Sequence, residues 1–189
     1  MMRKIERENT GLLQAGQDLV VAGYAGLAGT VKLAEAAKEE LSRWFSDEYM
    51  EEIADAAPLC PVSPEFWRSC GAAEWEPAGE GGILTAIWNL TGAYETGVEF
   101  YLRQIPMRQE TVEVCERLEL NPYRLYSENC VLLAADSGSR LVRELKQAGI
   151  PAAVIGWAEK GIARKLRHGE EAAGYLERPQ PDELLKLGL

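Results

Sequence analysis

The chain has 189 residues, of which 47% are hydrophobic and 26% charged, and this is enough apolar material for one domain with an ordinary core. Its formal net charge of −10 argues against nucleic-acid binding, because a phosphate backbone requires clustered lysine and arginine. The amino end lacks the apolar segment of a signal peptide, and no apolar run approaches the ~20 residues of a membrane span, so we expect a cytoplasmic protein without a membrane partner.

The first half of the chain predicts one strand followed by three helices. Residues 18–24 form a short apolar run that ends in glycine, which is typical of a strand and its turn. A helix is predicted from Thr30, because apolar side chains then recur every three or four residues. These apolar positions are Leu33, Ala37, Leu41 and Trp44. Ser46 and Ser63 are of the type that caps helix N-termini, so each predicts the start of a further helix.

The second half of the chain alternates helices with strands. Helices are predicted over residues 83–94 and 110–118 and after Asp136 or Ser137, and strands over residues 98–103, 130–135 and 152–157. Alternating apolar and polar residues in the first of these strands predict that only one of its faces is buried. Residues 162–167 and 172–177 predict a hairpin that turns at His168 and Gly169. The pattern indicates one layered domain over residues 16–189, preceded by an N-terminal tail of residues 1–15.

Residues that commonly carry catalysis or bind metals are sparse. His168 is the only histidine, and its place in a predicted turn indicates a solvated side chain. The cysteines have no CxxC spacing, so we expect reduced thiols, two of them in the core, and no zinc site. They are Cys60, Cys70 and the two expected core residues Cys115 and Cys130. The glycine turn at residues 23–30 lacks the dinucleotide fingerprint, and the sequence therefore predicts no catalytic residue, no metal site and no bound cofactor.

The best candidate for a binding site is the loop formed by Gly79, Glu80, Gly81 and Gly82, which leads directly into the helix predicted at residues 83–94. A helix N-terminus carries about half a positive charge and has unpaired N–H groups, so it attracts anions. One interpretation is that the amides of Gly81 and Gly82 contact a phosphate or carboxylate. The other interpretation is that the glycines form only a tight structural turn.

Several short motifs, in this order and spacing, resemble the C-terminal half of the aminoimidazole-ribonucleotide (AIR) synthetase superfamily. They are the glycine loop with its helix, Ile105-Pro106-Met107-Arg108, the segment LNPYRLYSEN at residues 120–129, Val154-Ile155-Gly156 and Pro181-Asp182-Glu183-Leu184. The chain is most similar to the branch of the hydrogenase expression/formation protein, a carbamoyl dehydratase, over about residues 16–187. The resemblance implies an α+β fold with three α/β/α layers, in which helices flank a mixed sheet.

The resemblance also implies how the full-length relatives work. Their N-terminal domain supplies the aspartates that hold magnesium and ATP, and their C-terminal domain presents its glycine loop to the ligand. This sequence matches only the C-terminal half. It departs from the hydrogenase branch near the loop, where Glu76 and Pro77 replace a His-Asp pair and Gly79 replaces threonine, and it has no counterpart of that branch's reactive terminal cysteine.

These departures predict a stand-alone domain that is catalytically incomplete by itself and has a binding, scaffolding or regulatory role. Its expected partners are a hydrogenase maturation protein and a phosphate-containing small molecule. The alternative hypothesis is one half of a split ATP-dependent maturation or synthetase enzyme whose ATP-binding domain is a separate chain, and an exposed apolar docking face would favour it. A third hypothesis, a small-molecule sensor, requires a closed pocket beside Gly81.

Overall fold

A computed structural model describes residues 12–56, 63–169 and 173–189. Its strands are β1 (Asp18–Ala22), β2 (Glu74–Pro77), β3 (Gly97–Tyr101), β4 (Val131–Ala135), β5 (Ala152–Glu159), β6 (Arg164–Arg167) and β7 (Ala173–Tyr175). Its α-helices are α1 (Leu27–Ala36), α2 (Lys38–Leu41), α3 (Asp47–Ala54), α4 (Pro64–Ser69), α5 (Gly82–Ala93), α6 (Gln109–Arg117) and α7 (Gly138–Gln147). Three short 3-10 helices lie at Leu102–Gln104, Pro122–Arg124 and Glu183–Leu187.

The strands form one mixed sheet in the order β2-β4-β1-β5-β3-β6-β7. Neighbouring strands are antiparallel except β3 and β6, which are parallel. β1 pairs with β4 on one side and β5 on the other, so nearly all of its residues are buried. A strand buried on both faces reads as a continuous apolar run, and this explains why residues 18–24 gave a clear signal in the sequence.

Helices cover both faces of the sheet. Leu19 and Val21 of β1 point into a core closed by α5, whereas Val20 of the same strand points into a second core closed by Trp67 of α4 and by α7. This alternation follows the two-residue period of a strand. The α+β fold with a mixed sheet between helical layers, which the resemblance implied, is confirmed.

A third apolar cluster lies among α1, α3 and α6, away from the two sheet cores. It includes Leu33, Ile53 and Val114 from these helices. Leu184, from the 3-10 helix at Glu183–Leu187, is buried in the same cluster. The C-terminal segment (residues 180–189) therefore packs through Leu184 against the helices α1, α3 and α6.

Most predicted elements are confirmed, including the caps at Ser46 and Ser63, whose hydroxyl groups accept hydrogen bonds from Tyr49 N–H and Phe66 N–H. The antiparallel pairing of β6 with β7 confirms the hairpin, although residues 170–172, where the second predicted strand begins, lie outside the described residues. The N-terminal part of the predicted tail, residues 1–11, lies outside them as well. Leu13, from the end of that tail, is buried in the first core.

Three expectations differ from the structure. The helix predicted from Thr30 begins at Leu27 and breaks after Ala36, and Trp44 beyond it is 60% exposed, with the guanidinium of Arg117 stacked on its ring. The strand at residues 98–103 was expected to bury one face, yet Glu99 on its other face is also buried. Arg167 Nε donates to Glu99 Oε1 at 2.6 Å, and this ion pair permits the burial of the carboxylate.

The third difference is the strand β2, for which the sequence predicted no regular element. Its four residues include two glutamates and a proline, all poor strand formers, so the local pattern contains no strand signal. Its position at the edge of the sheet, paired with β4 alone, tolerates the proline.

Cys70, Cys115 and Cys130 are buried, as expected for Cys115 and Cys130, whereas Cys60 lies outside the described residues. Burial, with a smaller contribution from the charge of Glu183, raises the pKa of Cys115 to about 12. The nucleophile is the thiolate, so we expect iodoacetamide at about pH 8 to leave Cys115 unmodified in the folded chain and to modify it in guanidinium. Peptide mass spectrometry measures the modification of Cys115 in the folded and in the unfolded chain. Equal modification in the two states would contradict the described packing.

Among the described residues, no helix is both long enough and apolar enough to cross a bilayer.

Candidate functional site

The loop 79–82 turns the chain sharply from β2 into α5. Gly81 and Gly82 have φ angles of 74° and 65°, in the left-handed region that favours glycine. A Cβ atom on Gly82 would lie 2.5 Å from the carbonyl oxygen of Tyr123 and 2.8 Å from that of Leu125. Only glycine therefore fits at position 82, because the backbone of residues 123–125 packs directly against it.

The loop is also hydrogen-bonded to the segment that follows Leu125. The carbonyl oxygen of Gly79 accepts from Ser127 N–H at 3.2 Å and from Gly82 N–H at 3.1 Å. The Thr85 hydroxyl, one turn into α5, donates to the carbonyl oxygen of Gly81 at 2.9 Å. These contacts fix the direction in which the Gly81 amide points.

The Gly81 amide donates to a carboxylate of the same chain. Gly81 N–H bonds to Oδ2 of Asp182 at 2.7 Å, while Oδ1 accepts from Tyr126 N–H at 3.3 Å and from Leu184 N–H at 3.0 Å. Asp182 is only 8% exposed. A negative charge at the N-terminus of the twelve-residue helix α5 interacts favourably with the helix dipole. The loop thus binds an anionic oxygen, supplied by the C-terminal segment.

Beside this contact lies an open groove with a volume of about 470 Å³. It is lined by Lys32 of α1, by Glu80, Gly81 and Thr85, by Tyr126, and by Gln180, Pro181, Asp182, Leu184, Leu185 and Leu189 of the C-terminal segment. The ammonium group of Lys32 lies 4.9 Å from the centre of the Tyr126 ring, within the range of a cation–π interaction. Burial, followed by the hydrogen bond to Glu128, raises the pKa of Tyr126, which keeps the phenol protonated.

A family model described as AIR synthase related protein, C-terminal domain, matches residues 14–167. The chain belongs to this family. The match contains the whole loop 79–82 and most of the sheet but ends before the C-terminal segment that carries Asp182.

Solved structures have the same fold at low sequence identity. E. coli HypE, a hydrogenase maturation protein, is 20% identical with a TM-score of 0.68, and the match covers 90% of this chain and 52% of HypE. A HypE–HypF complex gives 17% identity and a TM-score of 0.68, covering 89% of this chain and 55% of the matched chain. Thiamine-monophosphate kinase from Stenotrophomonas maltophilia is 16% identical with a TM-score of 0.62, and the match covers 86% of this chain and 53% of the kinase.

The chain thus spans about half the length of these AIR synthase related structures. No curated protein matches the sequence.

Of the four predicted loop residues in this AIR synthase related domain, Glu80 and Gly81 line the groove, and Gly79 and Gly82 flank them in the chain. Gly81 and Gly82 are buried, Gly79 is half-buried, and the exposed side chain of Glu80 lines the opening. Pro77 is exposed at the end of β2, and His168 is an exposed turn residue, as predicted. Within the described part of the chain, no group of three or more His, Cys, Asp or Glu side chains could hold a metal ion.

Sequence reasoning missed the roles of Asp182, Lys32 and Tyr126. Asp182 was noted only as part of a family motif. A local signal did exist, because an aspartate two residues before an apolar pair is typical of a cap, and Asp182 caps the 3-10 helix that follows it. Its bond to Gly81 joins residues 101 positions apart in the chain, and a local pattern cannot predict such a contact.

Proposed function

We propose that this domain binds an anionic ligand at loop 79–82 in a binding or regulatory role. The observation that carries the proposal is the hydrogen bond from Gly81 N–H to the carboxylate of Asp182. It demonstrates that the amide is directed at a negatively charged oxygen. A phosphate or carboxylate oxygen of a ligand would take the place of the Asp182 oxygen.

Groups around the loop support a small molecule of this class. Among the described residues, no carboxylate forms an ion pair with Lys32, so its charge is available to the groove. Tyr126 offers an aromatic face beside it. A binding or regulatory role fits these groups, which are a backbone amide, a cation and an aromatic face. We propose a cytoplasmic location, where free thiols such as Cys115 persist.

The test is a thermal-denaturation titration with inorganic phosphate and with ATP–magnesium. Asp182→Asn keeps an acceptor oxygen and removes the charge that competes with the ligand, so this variant is expected to bind more tightly than the wild type. A ligand at 100 times its Kd stabilises the folded state by about 2.7 kcal/mol. For a chain of this size, that corresponds to a rise in Tm of roughly 5–10 °C.

Two lysine variants separate binding in the groove from general charge effects. Lys32→Ala removes the cation of the groove and is expected to weaken binding, whereas Lys146→Ala, on exposed α7 across the sheet, should leave it unchanged. The proposal fails if neither ligand shifts the Tm of the wild type or of Asp182→Asn.

A second candidate function is one half of a split enzyme, and the fold that the chain shares with HypE favours it. HypE is also found in a complex with HypF, so a HypE-like domain can work through a protein partner. The test mixes this chain with the separately expressed N-terminal half of E. coli HypE and follows both by size-exclusion chromatography. Co-elution supports the split enzyme, and independent elution at micromolar concentration argues against it.

A further inference from the structure

A groove lined by both apolar and charged residues runs between α1–α2 and the C-terminal segment. It consists of two adjoining cavities of about 470 and 570 Å³, which share Glu35 and Ala36. Leu184 and Leu189 line the first cavity, and Leu187 lines the second. We call it the leucine groove and define it by Ala36, Leu184, Leu187 and Leu189, together with Leu185, which lines the adjoining cavity beside Gly81.

Three leucines of the groove are unusually open to solvent. Leu185, Leu187 and Leu189 are 61%, 42% and 47% exposed. Single exposed leucines are common, but three exposed leucines within five residues concentrate apolar surface at one place in the fold. Leu184, which precedes them in the chain, is buried and anchors the backbone that presents these leucines.

The rim of the groove is acidic. Glu35, Glu39 and Glu40 are exposed along its α1–α2 side, together with Lys38. Within the described residues none of these three carboxylates forms an ion pair. These three carboxylates outnumber Lys32 and Lys38, the lysines that line the groove, in a chain whose formal net charge is −10.

We propose that the leucine groove docks a basic, amphipathic segment of a partner protein. Apolar side chains of that segment would cover Leu185, Leu187 and Leu189, and its lysines or arginines would face Glu35, Glu39 and Glu40. Opposite charges accelerate such an encounter and fix its register. A second copy of this chain fits less well, because it would bring the same acidic rim against itself.

The docking site adjoins the proposed anion site, since Lys32, Leu184 and Leu189 line both, but the two sites hold their ligands through different groups. The groove binds through leucine side chains and the carboxylates of α1–α2, whereas the anion is held by the Gly81 amide. A failure of phosphate to bind therefore leaves this inference intact, and the two proposals are tested by different variants.

The experiment uses a fluorescent peptide of about 18 residues, in which leucine and lysine alternate at helical spacing, and measures its anisotropy with the full chain. Binding is expected to weaken about tenfold in Leu187→Asp and in the double variant Glu35→Lys/Glu39→Lys, and to weaken as salt rises. Matched controls are Ile162→Asp, which changes another exposed aliphatic side chain, and Glu144→Lys on α7. Neither control lies at the groove, so both should bind like the wild type.

Several outcomes would overturn the inference. They are no binding by the wild type, an equal loss in the two control variants, and equal binding of a peptide in which glutamate replaces lysine. Sedimentation of the wild type as a dimer that Leu187→Asp dissociates would assign the groove to a second copy instead. Circular dichroism checks folding, and the charge variants on exposed helix positions remain informative if Leu187→Asp unfolds.

Discussion

Replacing Gly82 with alanine is expected to lower the free energy of unfolding by about 3 kcal/mol. A non-glycine residue in the left-handed region costs roughly 1–2 kcal/mol, and forcing an additional methyl group into a packed site costs roughly 1–3 kcal/mol. Both costs apply here, because φ is 65° and the new Cβ would lie 2.5 Å from a backbone carbonyl oxygen. For a chain of this size the Tm should fall by roughly 6–12 °C.

Gly79→Ala is the matched control from the same loop. A Cβ on Gly79 meets no atom within 4 Å, and its φ is not in the left-handed region. This variant should therefore stay within about 0.5 kcal/mol of the wild type in a urea-denaturation experiment. If both variants lose the same stability, the contact between Gly82 and residues 123–125 is not the cause.

The elements that sequence predicted well are those whose apolar pattern is local and continuous. β1 and β4 are buried on both faces, and α5 has apolar residues on most of its surface, so each gives an unbroken signal. β2 has no such signal, and only pairing with β4 makes it a strand. The burial of Glu99 on the polar side of β3 was not predicted either. It depends on the ion pair with Arg167, which lies 68 residues away in the chain.

The candidate site was predicted only in part. The glycine loop is visible in sequence because two adjacent glycines precede an apolar helix. The residues that complete it, Lys32, Tyr126 and Asp182, come from three distant parts of the chain. Their side chains are of common types, and only the packing of α1 and the C-terminal segment brings them together.

Removal of the Asp182 carboxylate is the second substitution with a large expected effect. Asp182→Ala leaves the amides of Gly81, Tyr126 and Leu184 without their acceptor. Hydrogen bonds to a charged group contribute roughly 1.5–3 kcal/mol each, but their loss is not additive, since water in the neighbouring groove can replace part of them. We expect a loss of about 3 kcal/mol in the free energy of unfolding and faster amide exchange at Gly81 and Tyr126.

The comparison with two other variants identifies the cause of this loss. Asp182→Asn retains an acceptor oxygen, so it should cost about 1 kcal/mol. Glu177→Ala removes a carboxylate that is paired with Arg124 at 2.9 Å but is 72% exposed, and such a pair contributes less than about 1 kcal/mol. Urea denaturation measures the free energy of unfolding of the three variants, and hydrogen exchange followed by mass spectrometry measures their amide protection. If Asp182→Ala is no less stable than Glu177→Ala, and exchange at Gly81 is unchanged, then Asp182 does not hold the loop. In that case the Gly81 amide is satisfied by solvent, and the proposed anion site loses the observation that carries it.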